Sequence, residues 1–275
     1  MFDLHVHAAP DVVPRRGTDR ETLRAYAAAG FTGCVLKAHY DTTAGRALAA
    51  ADGTGVAAFG GIALNRHVGG LNPSAVEAAL RSGARVVWMP TADSHTQRTA
   101  GLPRLCDLRP SLGDETFALP PVDPSAEAAT REVVALVAEH DAVLATGHIS
   151  GAEVAWLLPV ARAAGVRRLL LTHPSYTVPG LDAGTTRDLA GPDALVEVTA
   201  FQLLHQPGAT AAGLAAFVAE VGLERVVLSS DAGQPDSPEP PAALLGLLKA
   251  LEAEGLDPAA LRRCADEQPR GLVLG

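Results

Sequence analysis

The chain has 275 residues, of which 48% are hydrophobic and 19% are charged, and its formal net charge is −9. A chain of this length and composition can bury a large core, and α/β barrels of about this size are commonly single domains. The acidic balance argues against a nucleic-acid partner or an anionic membrane surface. No apolar run approaches the roughly 20 residues of a membrane span. The first predicted strand begins almost at Met1, so we expect no signal peptide and a cytoplasmic location.

The chain contains three cysteines, Cys34, Cys106 and Cys264, which lie far apart in the sequence. An odd number of scattered cysteines favours neither a disulfide framework nor a cysteine-rich zinc site. Cys34 lies within an apolar run and is expected in the core.

Apolar, strand-like runs alternate with helical patterns along the chain. Strands are predicted near residues 2–7, 33–38, 57–63, 85–90, 142–147, 168–172, 194–199 and 225–230. Helices are predicted near residues 19–29, 43–52, 73–82, 125–139, 151–164, 183–190, 209–221 and 241–254. Helix start signals support several of these predictions. Asn72 precedes Pro73 at the start of the third predicted helix, and Ser150 precedes the fifth predicted helix.

Eight largely apolar strands that alternate with helices indicate a parallel sheet covered by helices, and eight strands is the number that closes a (β/α)8 TIM barrel. A doubly wound open sheet is the alternative, but no Gly-x-Gly-x-x-Gly turn follows the first strand. We therefore predict one catalytic barrel domain spanning residues 1–275.

One connection is much longer than the others and has no convincing periodicity. It covers residues 91–124, which are polar and rich in proline. Long loops within compact domains often act as lids or binding loops. Because this one follows the fourth predicted strand, we expect it at the catalytic face of the barrel, where it contributes to substrate choice.

The first strand carries the sequence Asp3-Leu4-His5-Val6-His7. Strand side chains alternate between faces, so His5 and His7 are predicted to project together, with Asp3 on the same face. Two imidazoles from one strand can chelate a divalent metal, although such a short motif also occurs without a metal.

Similar residues end other predicted strands: His148 ends the fifth, His173 the sixth and Asp231 the eighth. In (β/α)8 barrels the active site is built at the carboxyl ends of the strands, so these side chains are expected to converge with those of the first strand. Imidazole and carboxylate donors suit zinc, manganese or iron.

This set of residues in strand order resembles the amidohydrolase superfamily of metal-dependent barrel hydrolases. The segments HAAPDVVPRR, GGIALNRHVGGLNP, WMPTADS, ATGHIS and LSSDAGQP resemble one branch of that superfamily more closely. The resemblance implies that His5, His7 and His148 ligate a metal, with Asp231 as ligand and general base. It also implies that His173 binds a second metal or hydrogen-bonds the attacking water.

The chain departs from two-metal members of that superfamily, in which a carboxylated lysine or a glutamate ends strand four. Here strand four ends Val87-Trp88-Met89-Pro90-Thr91. Lys37, on the second strand, could fill that space if carbamylated, but a role in binding a substrate anion is favoured. We therefore expect one divalent ion, most simply Zn²⁺ with Mn²⁺ or Fe²⁺ as alternatives, and a two-ion site remains open.

Several residues near the strand ends are candidates for binding a small, anionic or amide-rich substrate, since guanidinium groups match carboxylates and phosphates. They are Arg15, Arg16, Lys37, His39, Asn65 and Arg66. Lys37, His173 or the metal is expected to stabilise the oxyanion, and Asp231 to move the proton.

The favoured activity is hydrolysis of an amide, lactam, lactone or related C–N or C–O bond. A metal-dependent decarboxylase or other lyase on the same barrel is one alternative, and a metal-dependent phosphoesterase is another. A small molecule is the expected partner, and a homo-oligomer remains open.

Overall fold

Eight parallel strands form one sheet that closes on itself. The computed structural model describes residues 1–102 and 114–275. The strands follow one another in chain order as β1 (Phe2–Val6), β2 (Gly33–Leu36), β3 (Ala57–Ala63), β4 (Ala84–Trp88), β5 (Val143–Ala145), β6 (Arg168–Leu171), β7 (Ala194–Thr199) and β8 (Val226–Ser229). The seam between β8 and β1 is joined by His7 N–H, which donates to the Ala232 carbonyl, and by Asp231 N–H, which donates to the His5 carbonyl, both at 2.8 Å. The predicted (β/α)8 barrel is confirmed.

Helices connect the strands and cover the outside of the barrel. In the described residues they are α1 (Asp19–Ala28), α2 (Ala44–Ala51), α3 (Pro73–Arg81), α4 (His95–Thr99), α5 (Glu127–Glu139), α6 (Gly151–Ala163), α7 (Ala183–Ala190), α8 (Ala200–His205), α9 (Ala211–Val221), α10 (Pro240–Ala253), α11 (Pro258–Cys264) and α12 (Glu267–Leu274). The start signals at Asn72 and Ser150 are real N-caps, whose side chains accept from the third residue beyond them. The short helices α4, α8, α11 and α12 were not predicted.

The apolar residues of the strands divide into two layers. Side chains on the inner face, among them Leu4, Val86 and Trp88, pack together inside the barrel. Those on the outer face pack against the helices in the larger cluster. Leu272 and Val273 of α12 join the inner cluster, so the C-terminal helix helps to fill the barrel interior.

The first strand differs from the predicted alternation. Its pairing register with β2 shifts between Asp3 and Val6, which marks a bulge or irregularity. Leu4 belongs to the inner cluster and Val6 to the outer one. Asp3 contacts Tyr26 of α1, whose hydroxyl donates to Oδ2 at 2.5 Å. The prediction that Asp3 shares the face of His5 and His7 was therefore wrong, because a shifted register breaks strict alternation.

The segment after β4 packs partly against the barrel. Ser94 caps α4, and residues 94 and 117 form an isolated parallel bridge. Residues 103–113 of the predicted 91–124 loop, including Cys106, lie outside the described residues. Cys34 and Cys264 are buried free thiols. Within residues 1–102 and 114–275, no helix combines the length and the apolar character that crossing a bilayer requires.

Candidate metal centre

Polar side chains from five strand ends line a cavity of about 250 Å³ at the carboxyl end of the barrel. The lining includes His7 after β1, Lys37 and His39 after β2, His148 after β5, His173 after β6 and Asp231 after β8. All of these side chains are buried. The parallel order of the strands brings them together, since every carboxyl end points the same way.

Two histidines converge on one carboxylate oxygen. Nε2 of His5 lies 3.0 Å from Oδ1 of Asp231, and Nε2 of His7 lies 3.1 Å from the same oxygen. Burial raises the pKa of Asp231, but the neighbouring His5 and His7 outweigh that effect and hold it well below the usual range. Asp231 is therefore an ionised carboxylate in the folded protein.

A second carboxylate lies on the other side of His5. Oε1 of Glu197 is 3.1 Å from Nδ1 of His5, and the hydroxyl of Ser229 donates to the same oxygen at 2.6 Å. Burial lowers the pKa of His5, but the Asp231 and Glu197 carboxylates together give a net upward shift. The sequence analysis did not identify Glu197, although a charged residue in the apolar β7 run is a recognisable signal.

Lys37 lies against the same group. Its Nζ atom is 3.0 Å from Nε2 of His5 and 5.2 Å from the centroid of the Trp88 ring. Burial lowers the pKa of Lys37 to about 8, although the charges of Asp231 and Glu197 act in the opposite direction. Lys37, which the sequence analysis considered as a substitute for a metal ligand at the end of strand four, thus lies beside His5 and over the last residue of β4.

His148 is held from one side only. Its Nδ1 lies 3.1 Å from Oε1 of Gln97 in α4, and its carbonyl accepts from the hydroxyl of Ser94 at 2.9 Å. In the described part of the chain, its buried Nε2 has no hydrogen-bond partner. The preceding Gly147 has a φ of +61°, and a Cβ there would lie 2.3 Å from the Met89 carbonyl oxygen, so only glycine fits.

Two further imidazoles complete the wall of the cavity. Nδ1 of His39 lies 2.8 Å from the hydroxyl of Thr91, and His173 lies with Nε2 4.0 Å from Oδ2 of Asp231. Burial lowers the pKa of His39 well below its ordinary value and that of His173 to about 4. Both rings are therefore neutral at physiological pH.

Two of these residues have an unusual backbone conformation. The φ of His173 is +24° and that of Asp231 is +48°, both in the left-handed region that non-glycine residues rarely adopt. Such strain is typical of functional sites, because the surrounding structure must fix side chains there. Their position two residues after the ends of β6 and β8 fits this interpretation.

The predicted substrate-binding residues separate into two groups. Arg15 joins Lys37 and His39 in lining the cavity; its Nε is 2.6 Å from Oδ2 of Asp11, and its Nη2 is 3.3 Å from Nδ1 of His7. Arg16 instead pairs with Glu239, 3.0 Å away.

The other two predicted substrate-binding residues, Asn65 and Arg66, do not line the cavity. The Asn65 side chain donates to the His39 carbonyl and to the Thr91 hydroxyl, and it accepts from two backbone amides. The backbone amide of Arg66 donates to Asp93 at 3.1 Å.

The donor set fits a divalent cation. Donor atoms of His5, His7 and Asp231 lie within 4.8 Å of one another, as do those of His5, His173 and Glu197. On a tetrahedral Zn²⁺ with bonds of about 2.0–2.1 Å, neighbouring donors are about 3.4 Å apart. The 3.0 and 3.1 Å contacts of Asp231 are close to that spacing.

Comparison with known proteins gives a family and a fold. Residues 1–197 match the model of a family of unknown function, DUF6282. No curated protein matches the chain. The structure is similar to an organophosphorus hydrolase from Deinococcus radiodurans, with 14% identity, coverage of 99% of this chain and 92% of that chain, and a TM-score of 0.61.

Two other solved structures are comparably similar. One is a variant of a PTE-like lactonase from Deinococcus radiodurans, with 14% identity, 98% and 95% coverage of this and that chain, and a TM-score of 0.59. The other is an amidohydrolase from Pseudomonas aeruginosa, with 13% identity, 98% and 94% coverage, and a TM-score of 0.62. At these identities the likeness establishes the fold, and the resemblance to amidohydrolase barrels is confirmed at that level.

Proposed function

Because the chain belongs to the DUF6282 family of unknown function, we propose its activity from the site itself: it is a metal-dependent hydrolase of a small molecule. The observation that carries this proposal is the convergence of His5 and His7 on Asp231 beside a cavity at the strand ends. The fold neighbours that are named organophosphorus hydrolase, lactonase and amidohydrolase support it.

In this proposal His5, His7 and Asp231 hold the ion, and His148 presents its buried Nε2, which has no hydrogen-bond partner among the described residues, to the same cavity. Such an imidazole-rich set suits Zn²⁺, with Mn²⁺ and Fe²⁺ as alternatives. A divalent ion supplies Lewis-acid chemistry here: it acidifies water and polarises a carbonyl or phosphoryl oxygen.

The side chains of the chain itself move the proton and stabilise charge. Asp231 accepts a proton from the attacking water, because its carboxylate is ionised and lines the cavity. The Lys37 ammonium, buried beside it, stabilises negative charge on the attacked oxygen. Neutral His173 hydrogen-bonds the attacking water in this proposal.

The lining of the cavity matches a small substrate that has both an anionic and an apolar part. Arg15 and Lys37 bring positive charge to the lining, whereas Pro14, Tyr176 and Phe201 form an apolar wall. The side chain of Arg15 is only 5% exposed, so a carboxylate there would be bound away from water. We infer an amide, lactam, lactone or related C–N or C–O bond as the target.

A phosphoester is the second candidate substrate. The planar fork of Arg15 matches phosphate oxygens as well as carboxylates. The organophosphorus hydrolase among the fold neighbours favours testing it.

The test is metal analysis of protein purified without chelators, followed by assays on amide, lactone and phosphoester panels. We expect bound divalent metal in the wild type and its loss in the His5→Ala/His7→Ala double variant. His140→Ala is the matched control, since His140 follows α5 and precedes β5, at the amino end of that strand. Full metal occupancy in the double variant would overturn the assignment, and release of CO2 without water consumption would indicate a lyase.

A further inference from the structure

The connection after β4 brings a side chain to the candidate centre, although the end of β4 offers neither a carboxylate nor a lysine. That side chain is Gln97 of α4, which lines the cavity and is only 6% exposed. Its Oε1 lies 3.1 Å from Nδ1 of His148. A residue of the β4 connection therefore contacts the histidine that follows β5.

Ser94 fixes the position of Gln97 relative to His148. Its Oγ accepts from the backbone amide of Gln97 at 3.0 Å, and its hydroxyl donates to the carbonyl of His148 at 2.9 Å. The backbone amide of His148 donates to the Pro90 carbonyl, also at 2.9 Å. The backbone of His148 is thus bonded at both its amide and its carbonyl to the segment that leads into α4.

The same segment is held from the side of β3. The Asn65 side chain accepts from the backbone amides of Thr91 and Asp93, at 2.9 and 3.0 Å. It also donates to the Thr91 hydroxyl at 2.7 Å. These contacts hold the residues before α4 in place, so the backbone as well as the side-chain hydrogen bond keeps Gln97 against the ring of His148.

The contact decides which nitrogen of His148 carries a proton. A metal-binding imidazole is neutral and has a single N–H group, whose position is set by the partner of the other nitrogen. An amide oxygen can only accept, so Oε1 of Gln97 requires the N–H group at Nδ1 of His148. Nε2 then keeps its lone pair, and within the described residues this buried nitrogen has no hydrogen-bond partner.

We propose that Gln97 is a positioning residue that holds His148 as the Nδ1–H tautomer, so that Nε2 reaches the cavity without a proton and is free to bind a divalent ion. This inference rests on the proposed function, which supplies the ion. It gives the β4 connection a part in the centre that the end of β4 does not have, because an amide on α4 orients an imidazole after β5.

The first experiment is long-range ¹H–¹⁵N NMR of the metal-free full chain labelled with ¹⁵N-histidine, with His148→Ala to assign the His148 signals. We expect the Nδ1–H tautomer in the wild type. The control His95→Ala changes an exposed residue of the same helix and should keep it. Gln97→Met removes the acceptor with little change in side-chain length and should lose the preference.

The second experiment is competition between the protein and a chelator for Zn²⁺ at neutral pH. Gln97→Met should bind Zn²⁺ roughly 10–100-fold more weakly than the wild type, which is the usual effect of removing the partner of a ligating histidine. Gln97→Glu keeps an acceptor at this position and should bind Zn²⁺ at least as tightly as the wild type. His95→Ala should match the wild type.

The outcomes separate this inference from the proposed function. A wild type with the proton on Nε2 of His148 would overturn the role of Gln97, and so would a Gln97→Met variant that keeps either the tautomer or the Zn²⁺ affinity of the wild type. Neither result touches the convergence of His5 and His7 on Asp231. A wild type that binds no Zn²⁺ would overturn the proposed function, while its tautomer still tests Gln97. Should Gln97→Met not fold, the wild-type tautomer decides.

Discussion

Glu197 lies directly behind His5, with 3.1 Å between its Oε1 and Nδ1 of the histidine, while Nε2 of the same ring faces Asp231. A carboxylate in this position fixes the ring orientation and raises the basicity of the nitrogen that faces the metal. The arrangement links β7 to a ligand on β1, although 192 residues separate the two in the chain.

Glu197→Gln should therefore weaken metal binding by roughly 10–100-fold, because the neutral amide supports His5 less well than a carboxylate does. Competition with a metal chelator at neutral pH measures the change. Ser229→Ala is the control, since it removes one donor to Glu197 but keeps the charge, and its effect should be smaller. Equal affinities in Glu197→Gln and the wild type would contradict this role.

Arg15→Met should lower kcat/KM for anionic substrates by roughly one to two decades, because a charge-assisted hydrogen bond contributes about 1.5–3 kcal/mol. Steady-state kinetics with anionic and neutral substrate pairs measure the effect. Arg16→Met is the matched control, as Arg16 pairs with Glu239 outside the cavity lining. If Arg15→Met and Arg16→Met behave alike, Arg15 has no part in substrate binding.

Asp141→Asn should destabilise the protein at pH 7 and only about half as much near pH 3. The hydrogen bond from Arg168 lowers the pKa of Asp141 to about 2 from its ordinary value of 3.8, with Arg167 contributing. A carboxyl with a depressed pKa stabilises the fold above the unfolded value, and that contribution is lost as pH falls from about 4 to 2.

Urea unfolding at the two pH values measures this difference, which we expect to be at most about 1 kcal/mol at pH 7 since the pair is partly exposed. Asparagine tolerates the left-handed φ of +49° at this position, so the backbone is not strained by the change. A loss of stability that is equal at both pH values would exclude the ion pair as its cause.

Tyr26→Phe should destabilise the fold by about 1–3 kcal/mol, because it removes a donor from the buried carboxylate of Asp3. Asp3 also accepts from the amides of His5 and Ser230, so it connects β1 to the residues after β8. Chemical denaturation measures the stability, and metal titration of the folded variant tests whether the change reaches His5. An unchanged midpoint of unfolding would show that the hydroxyl is unimportant.

The fold was predictable because its signals are local and repeated. Each of the eight strands is a largely apolar run, and several of the longer helices have start signals at their N-caps, such as Ser150 before α6. The short helices α4 and α8 gave no such signal, because five or six residues are too few to show a helical period.

The sequence by itself determined which residues stand at the strand ends: His5, His7, His148, His173 and Asp231. Because the strands are parallel, their carboxyl ends bring these residues together at one end of the barrel. Only the tertiary structure decided what lies behind them: Glu197 against His5, Gln97 against His148, and Arg15 rather than Arg16 in the cavity. It also decided that Asp3 faces α1, through a register shift that no local pattern reveals. The physical reason is that strand topology fixes where a backbone ends, whereas side-chain partners depend on distances of a few ångströms between segments far apart in the chain.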